Sequence, residues 1–92
     1  MLRRDGSLEW YKNGKWNRDD DKPAWISASG TLTWWKNSLR HRICGPAVIN
    51  ADDSLGWWIR GEDITPEVNA WLAGEEWRGT AEQIVEFQFR FC

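Results

Sequence analysis

Only a few residues in this sequence have side chains suited to catalysis. His41 is the only histidine and could serve as a general base or a metal ligand. Cys44 could serve as a nucleophile if Arg42 or His41 lowered the pKa of its thiol. No Asn or Asp is placed to orient the imidazole, as nucleophilic catalysis requires. We therefore predict that His41 is a structural or surface histidine and that Cys44 is an ordinary thiol.

The acidic residues suggest a second chemistry, the binding of a hard cation. Residues 19–21 and 52–53 are all Asp, but they lack the alternating spacing of a calcium loop, so we predict solvated loop charges. Cys44, Cys92 and a single histidine cannot form a four-ligand zinc site without carboxylates. No phosphate-binding glycine loop, nucleophile elbow or metalloprotease motif is present. We predict no metal, no cofactor and no enzymatic activity.

Aromatic residues carry the strongest functional signal, with nine Trp in 92 residues. Three rings at equivalent positions are flanked by cations. The predicted binding residues, called here the aromatic-basic face, are Tyr11, Trp35, Trp58, Lys12, Lys36 and Arg60. Such a face suits a protein interface, where Trp, Tyr and Arg are enriched. It also has the ingredients of a stacking platform for single-stranded nucleic acid or carbohydrate. A third interpretation is that the C-terminal part of the chain covers the rings.

The rings recur because the chain contains a repeat. Residues 5–15 align with 29–39 at an offset of 24, and residues 53–61 form a third, partial copy. Each copy has a Leu-x-Trp-aromatic centre. A repeat with strand and turn chemistry predicts stacked β-hairpin units.

Turn residues separate the predicted strands. Asn13-Gly14 is the preferred pair for a two-residue type I′ turn, and Ser29-Gly30 and Arg60-Gly61 are predicted to be equivalent bends. We predict strands near 7–12, 15–18, 24–28, 31–36, 39–42, 46–50 and 54–59, in a continuous antiparallel meander.

Alternation along these strands divides the apolar residues between two faces. One ladder contains Leu8, Trp10, Leu32, Trp34, Leu55 and Trp57. The other contains Tyr11, Trp35 and Trp58. Because both faces are aromatic, a partner or the rest of the chain must cover the second one.

The period changes to that of helices after residue 62. Thr65 is predicted to cap a helix that starts with Pro66 and stops at Gly74. Thr80 begins a second segment, 81–91, which is apolar on one side. Its end alternates as a strand would, but the capping signal and the Glu86–Arg90 spacing favour helix. We expect this segment to dock on one sheet face and bury one ladder.

Charge and composition limit the function further. The net charge is −2, with +4 in residues 1–50 and −6 in residues 51–92, so the two parts either attract each other or form patches for separate partners. A strong nucleic-acid binder is normally basic overall. No membrane span or secretion signal is recognisable, which predicts a cytoplasmic protein.

The predicted fold class is α+β, mainly β. A single domain, 1–92, has hairpin repeats in residues 5–61 and a helical segment of one or two short helices in residues 62–92.

The repeat resembles the degenerate MORN-like repeats that are common in uncharacterised bacteriophage and large-virus proteins. The resemblance lies in the pattern Asp-Gly-Ser-x-x-Trp-Tyr-x-Asn-Gly-Lys, then Arg and later Pro-Ala-x-Ile, over about residues 5–61. The sequence departs from the pattern at Asn17, Lys22 and Ser38. The resemblance implies a hairpin scaffold for protein or lipid contacts, no catalytic residues, and a viral origin.

Together these features predict a small, non-enzymatic protein-binding module. The expected partner is a host protein or protein complex, and the expected role is that of a phage-encoded modulator or inhibitor, for example of an anti-phage defence system such as CRISPR-Cas. The alternative is single-stranded nucleic-acid or carbohydrate binding through the aromatic-basic face. Homodimer formation is a further option, because exposed Trp and hairpin edges invite self-association.

Overall fold

The computed structural model describes residues 2–92, and these fold mainly into short antiparallel strands followed by two helices. This confirms the predicted fold class. Residues 81–91 form a helix and not a strand, as the capping signal predicted. The strands are β1 (Leu8–Glu9), β2 (Tyr11–Lys12), β3 (Lys15–Trp16), β4 (Trp25–Ile26), β5 (Leu32–Thr33), β6 (Trp35–Lys36), β7 (Leu39–Arg40), β8 (Val48–Ile49), β9 (Leu55–Gly56), β10 (Trp58–Ile59) and β11 (Glu62–Asp63). The helices are α1 (Thr65–Leu72) and α2 (Ala81–Phe91).

One antiparallel sheet runs through all three repeats, in the order β1-β4-β5-β8-β9. Its register places side chains in two rows, because successive residues of a strand point to opposite faces. The aliphatic row contains Leu8, Ile26, Leu32, Ile49 and Leu55. The mixed row contains Glu9, Trp25, Thr33, Val48 and Gly56.

The predicted continuous meander is wrong in one respect. Each predicted long strand (7–12, 31–36 and 54–59) is broken at its central Trp, and the second half pairs in a separate hairpin: β2-β3, β6-β7 or β10-β11. Hydrogen bonding explains the break. The Trp34 N–H donates to Ala47 O at 2.7 Å, while its carbonyl accepts from His41 N at 3.1 Å. The chain therefore changes pairing partner at this residue.

The hairpin turns confirm the type I′ prediction for Asn13-Gly14, where φ is 53° and 77°. Arg60-Gly61 is equivalent, with φ of 51° and 81°. Ser29-Gly30 is not, because only Gly30 has a positive φ, and it closes a loop between β4 and β5 through a 3.0 Å bond to Ser27 O.

Thr80 caps α2 as predicted, with its hydroxyl accepting from Gln83 N at 3.2 Å. Thr65 does not cap α1. The N-cap residue is Ile64, and the Thr65 hydroxyl instead accepts a hydrogen bond from Trp57 N at 2.9 Å. Helix α1 ends before Ala73, which takes the left-handed conformation one residue ahead of the predicted stop at Gly74.

The main apolar core lies at the end of the third repeat and contains Trp57, Ile59, Val68 and Phe87. Trp57, only 1% exposed, lies 4.9 Å from Trp77 and 5.1 Å from Phe87 between ring centroids. The helical segment was expected to cover a whole ladder. Instead it closes the end of the repeat array, because no strand equivalent to β4 or β8 follows the third repeat among the described residues. Within residues 2–92, no helix combines the length and apolarity needed to cross a membrane.

Candidate functional site

The three hairpins bring the predicted rings together in a continuous stack. Trp16 lies 6.4 Å from Tyr11 and 4.7 Å from Trp35 between centroids. The Arg40 guanidinium then lies 5.1 Å from the Trp35 ring and 5.0 Å from the Trp58 ring. These five residues form the hairpin stack. Trp16 and Arg40 were missed from the sequence, although the turn register pairs them with Tyr11 and Trp35 across the hairpins.

The rings of the hairpin stack lie against the mixed row of the sheet. The Tyr11 hydroxyl donates to the buried Glu9 carboxylate, and this hydrogen bond is the main reason that the pKa of Glu9 lies below its ordinary value. A Cβ placed on Gly56 would lie 3.4 Å from Trp58 Nε1, so this ring packs directly on the strand. Tyr11 remains 46% exposed, whereas Trp35 and Trp58 are half-buried.

The cations of the aromatic-basic face divide into two groups. Lys12 is exposed and pairs with Asp19, with Nζ 3.8 Å from the carboxylate. Lys36 and Arg60 are also exposed, but they line a cavity of about 290 Å³ with His41 on another side of the hairpins. The structure therefore joins the three predicted rings and separates Lys12 from the other two cations.

The arginine shared by the first two repeats has a structural role. Arg18 lies over the Trp10 ring at 3.7 Å, and Arg42 lies over the Trp34 ring at 3.9 Å. Arg42 also donates to Asp21 at 3.0 Å. Each arginine thus covers the ring of its own repeat, and such cation–π contacts contribute about 0.5–2 kcal/mol each.

His41 and Asn17 occupy equivalent positions, and each accepts a backbone hydrogen bond from the next repeat. Asn17 Oδ1 accepts from Asn37 N at 3.2 Å, and His41 Nδ1 accepts from Arg60 N at 2.9 Å. Each bond ties a hairpin to the turn of the next repeat. Burial, followed by the charges of Lys36 and Arg60, lowers the pKa of His41, which favours the neutral ring that the bond needs. This hydrogen bond gives His41 a structural role between the second and third repeats.

Cys44 does not have the environment of an activated thiol. Burial and then Asp21 raise its pKa, and Arg42 only partly opposes them. Cys44 and Cys92 are both free thiols. Across the described part of the chain, no three His, Cys, Asp or Glu side chains are grouped to hold a metal ion.

The outer side of α2 carries an apolar surface that sequence reasoning did not separate from the core. Phe89 is 94% exposed and Val85, one turn earlier, is 64% exposed. A cavity of about 300 Å³ is lined there by the residues called here the α2 patch: Trp71, Val85, Glu86, Phe89 and Arg90. The signal was present in the sequence, because Ile84, Phe87 and Phe91 already form one helix face and leave Val85 and Phe89 on another.

Comparison with protein-family models gives no match, and neither curated proteins nor solved structures resemble the chain at a significant level.

Proposed function

We propose that this protein is a non-enzymatic protein-binding module that docks through the α2 patch. The exposure of Phe89, at 94%, is the observation that carries the proposal. Burying a Phe side chain is favourable by about 1.5–3 kcal/mol, and a partner that covered Phe89 would gain this free energy on binding. Aromatic anchors of this kind dominate the binding energy of protein interfaces.

The patch has the form of a helix that inserts into a groove. Val85 and Phe89 are four residues apart and project from the same side of α2, as anchors do in this mode of recognition. Phe87 on the opposite side is fully buried in the core, so the helix is held in place before binding. Little conformational entropy would be lost on docking.

Charge indicates the kind of groove that would accept the patch. Glu82 and Glu86 flank the two anchors on the helix, Arg90 is the one cation of the patch, and residues 51–92 together carry a net charge of −6. A complementary partner has an apolar groove bordered by Lys or Arg, because opposite charges guide association and reject wrong partners.

The hairpin stack supports nucleic-acid or carbohydrate binding less well. A stacking platform needs free ring faces. Here Trp35 packs between Trp16 and Arg40, and only Tyr11 is largely exposed. Two further parts of the proposal are supported by the MORN-like resemblance alone: that the partner is a host or anti-phage defence protein, and that the protein acts in a host cytoplasm.

The test compares three baits in a bacterial lysate: the unaltered protein, Phe89→Ser, and a triple variant Lys12→Gln/Lys36→Gln/Arg60→Gln. We expect a captured protein to be lost with Phe89→Ser and kept with the triple variant. Calorimetry with the purified partner would then show a loss of at least about 2 kcal/mol for Phe89→Ser, as for a central interface residue.

Two results would contradict the proposal. One is capture that does not depend on Phe89. The other is the absence of any protein captured through Phe89 together with oligonucleotide binding that falls steeply with salt and is lost in the triple variant, because this would assign the function to the aromatic-basic face. Light scattering is the parallel measurement. A dimer that Phe89→Ser dissociates would identify a second copy as the occupant of the patch.

A further inference from the structure

A second site lies between the second and third hairpins. Its cavity is an open depression with a volume of about 290 Å³. The residues of this hairpin cavity are Lys36, Asn37, Leu39, His41 and Arg60. Every polar side chain among them can donate a hydrogen bond, and no carboxylate lines the cavity. This composition is unusual for a chain in which acidic residues outnumber basic ones.

Lys36 and Arg60 carry the positive charge of the cavity, and neither has an anionic partner among the described residues. Among residues 2–92, Lys36 and Arg60 form no ion pair and no side-chain hydrogen bond, whereas Arg3 pairs with Glu9 at 3.1 Å and Arg42 pairs with Asp21 at 3.0 Å. Like charges held together without a counter-ion repel each other, and a bound anion would relieve that repulsion.

His41 adds a donor of fixed orientation. Because Nδ1 accepts from Arg60 N at 2.9 Å, the neutral ring carries its proton on Nε2. The same bond holds the Arg60 backbone next to the ring, so the histidine and the arginine are positioned together. A site with an ammonium, a guanidinium and an imidazole N–H matches the several acceptor oxygens of a phosphate group.

We propose that the hairpin cavity binds a phosphate-class oxyanion. Lys36 and Arg60 provide the charge, His41 and Asn37 provide neutral donors, and Leu39 forms an apolar wall. Arg60 supplies the planar, bidentate geometry that phosphate oxygens favour. This site is separate from the α2 patch and does not depend on the function proposed for that surface.

The charged groups beyond Lys36 and His41 are of both signs. A second cavity borders Lys36 and His41 and is lined by further titratable residues: Arg18, Asp19, Asp20, Asp21, Arg42 and Cys44. Asp21 is held by Arg42, and Asp19 lies 3.8 Å from Lys12. Cys92, at the end of α2, places its thiol near Arg60.

The single histidine makes a direct test available. We would follow the His41 ring signals by NMR as inorganic phosphate is added at constant ionic strength, with sodium chloride as the reference. We expect a saturable shift with phosphate alone and a His41 pKa that rises in the phosphate-bound protein. Lys36→Gln and Arg60→Gln should each weaken binding roughly tenfold, the order of one charged hydrogen bond.

Lys12→Gln is the matched control, because Lys12 has the same repeat position as Lys36 but lies outside the cavity. It should leave phosphate binding unchanged, as should Phe89→Ser. Linear shifts equal to those with chloride would overturn the proposal, and so would a Lys12→Gln effect as large as that of Lys36→Gln.

Two further ligands would identify the source of the phosphate. A nucleoside monophosphate and a single-stranded oligonucleotide are added to the same variants. If the oligonucleotide binds much more tightly than phosphate, with a steep salt dependence and through Lys36 and Arg60, the phosphate belongs to a nucleic acid. Equal binding of the two small ligands, with no gain for the oligonucleotide, assigns the site to free phosphate or a monoester.

Discussion

Acidification should loosen the hydrogen bond between the second and third repeats. Arg60 N donates to His41 Nδ1 at 2.9 Å, and this requires a ring nitrogen that carries no proton. Protonation would replace the acceptor with a donor and add a third cation beside Lys36 and Arg60. The same burial and neighbouring charges hold the pKa of His41 below its ordinary value of 6.5.

The sign of the effect follows from that direction. Since the folded protein has the lower pKa, the unfolded chain binds more protons, and stability rises with pH across the titration. The contribution of His41 is therefore complete above about pH 6.5 and is lost as the pH falls through the lower folded pKa. Its size is about 0.5–1 kcal/mol, as for one partly exposed neutral hydrogen bond. For a domain of this length, that corresponds to roughly 2–8 °C in Tm.

The matched variant is His41→Asn, because the first repeat already has Asn17 at this position, accepting from Asn37 N at 3.2 Å. An amide oxygen accepts at every pH. We expect His41→Asn to unfold within about 0.5 kcal/mol of the unaltered protein at pH 7.5 and to be the more stable of the two at pH 5. His41→Ala should be destabilised at pH 7.5.

The measurement is thermal unfolding followed by Trp fluorescence between pH 5 and 8. Carboxylates also titrate at the acidic end, so the difference between the unaltered protein and His41→Asn is the quantity of interest. Parallel pH profiles for the two proteins would refute the role assigned to His41. A large loss in His41→Asn at pH 7.5 would show that the two repeats are not equivalent here.

Substitutions at four other residues test the packing by urea unfolding. Trp57→Ala should cost about 3–5 kcal/mol, because it empties the centre of the core; a cost below 1 kcal/mol would contradict that position. Thr65→Val should cost about 1–3 kcal/mol by leaving Trp57 N without its acceptor, while Thr65→Ser should retain most of the stability. Arg40→Ala should cost about 1–2 kcal/mol through two lost cation–π contacts, and equal stability would show that Arg40 does not join the hairpins. Phe89→Ser should change stability by less than about 0.5 kcal/mol, since the ring is exposed, and a larger loss would mean that it packs within the protein.

The local features of this fold are the ones that the sequence predicts. Asn13-Gly14 specifies its own turn because both residues accept a positive φ at small cost. Thr80 and Gln83 specify the start of α2 through a bond that spans three residues. Asn17 and His41 occupy equivalent positions of the repeat, and both accept a backbone hydrogen bond from the next repeat.

The features that were missed depend on distant parts of the chain. The strand breaks at Trp34 because its N–H and its carbonyl pair with different neighbours, Ala47 and His41. The identity of residue 34 does not indicate this change of partner. The apolar arc of α2 was assigned to one docking face, although of these residues only Phe87 and Phe91 pack in the core. The width of the surface that a helix packs against determines which of its apolar residues are buried. In this chain, that surface is the end of a single repeat.

The end of the repeat array explains why an exposed aromatic surface lies on α2. In the first two repeats, the N–H of the central Trp donates to the carbonyl of Ala24 or Ala47, which directly precede β4 and β8. Among the described residues, no such segment follows the third repeat. There the Thr65 hydroxyl accepts the hydrogen bond from Trp57 N, and the ring of Trp77 packs against the ring of Trp57.

Residues 62–92 thus act as a terminal cap, and caps of repeat proteins normally present a polar outer surface. This one presents Phe89. Capping accounts for Phe87, which is buried against Trp57, but gives Phe89 no role, so selection for another contact is the simplest reason for its presence. That contrast between two residues of one helix is the physical basis for proposing a binding role for α2 and not for the hairpin stack.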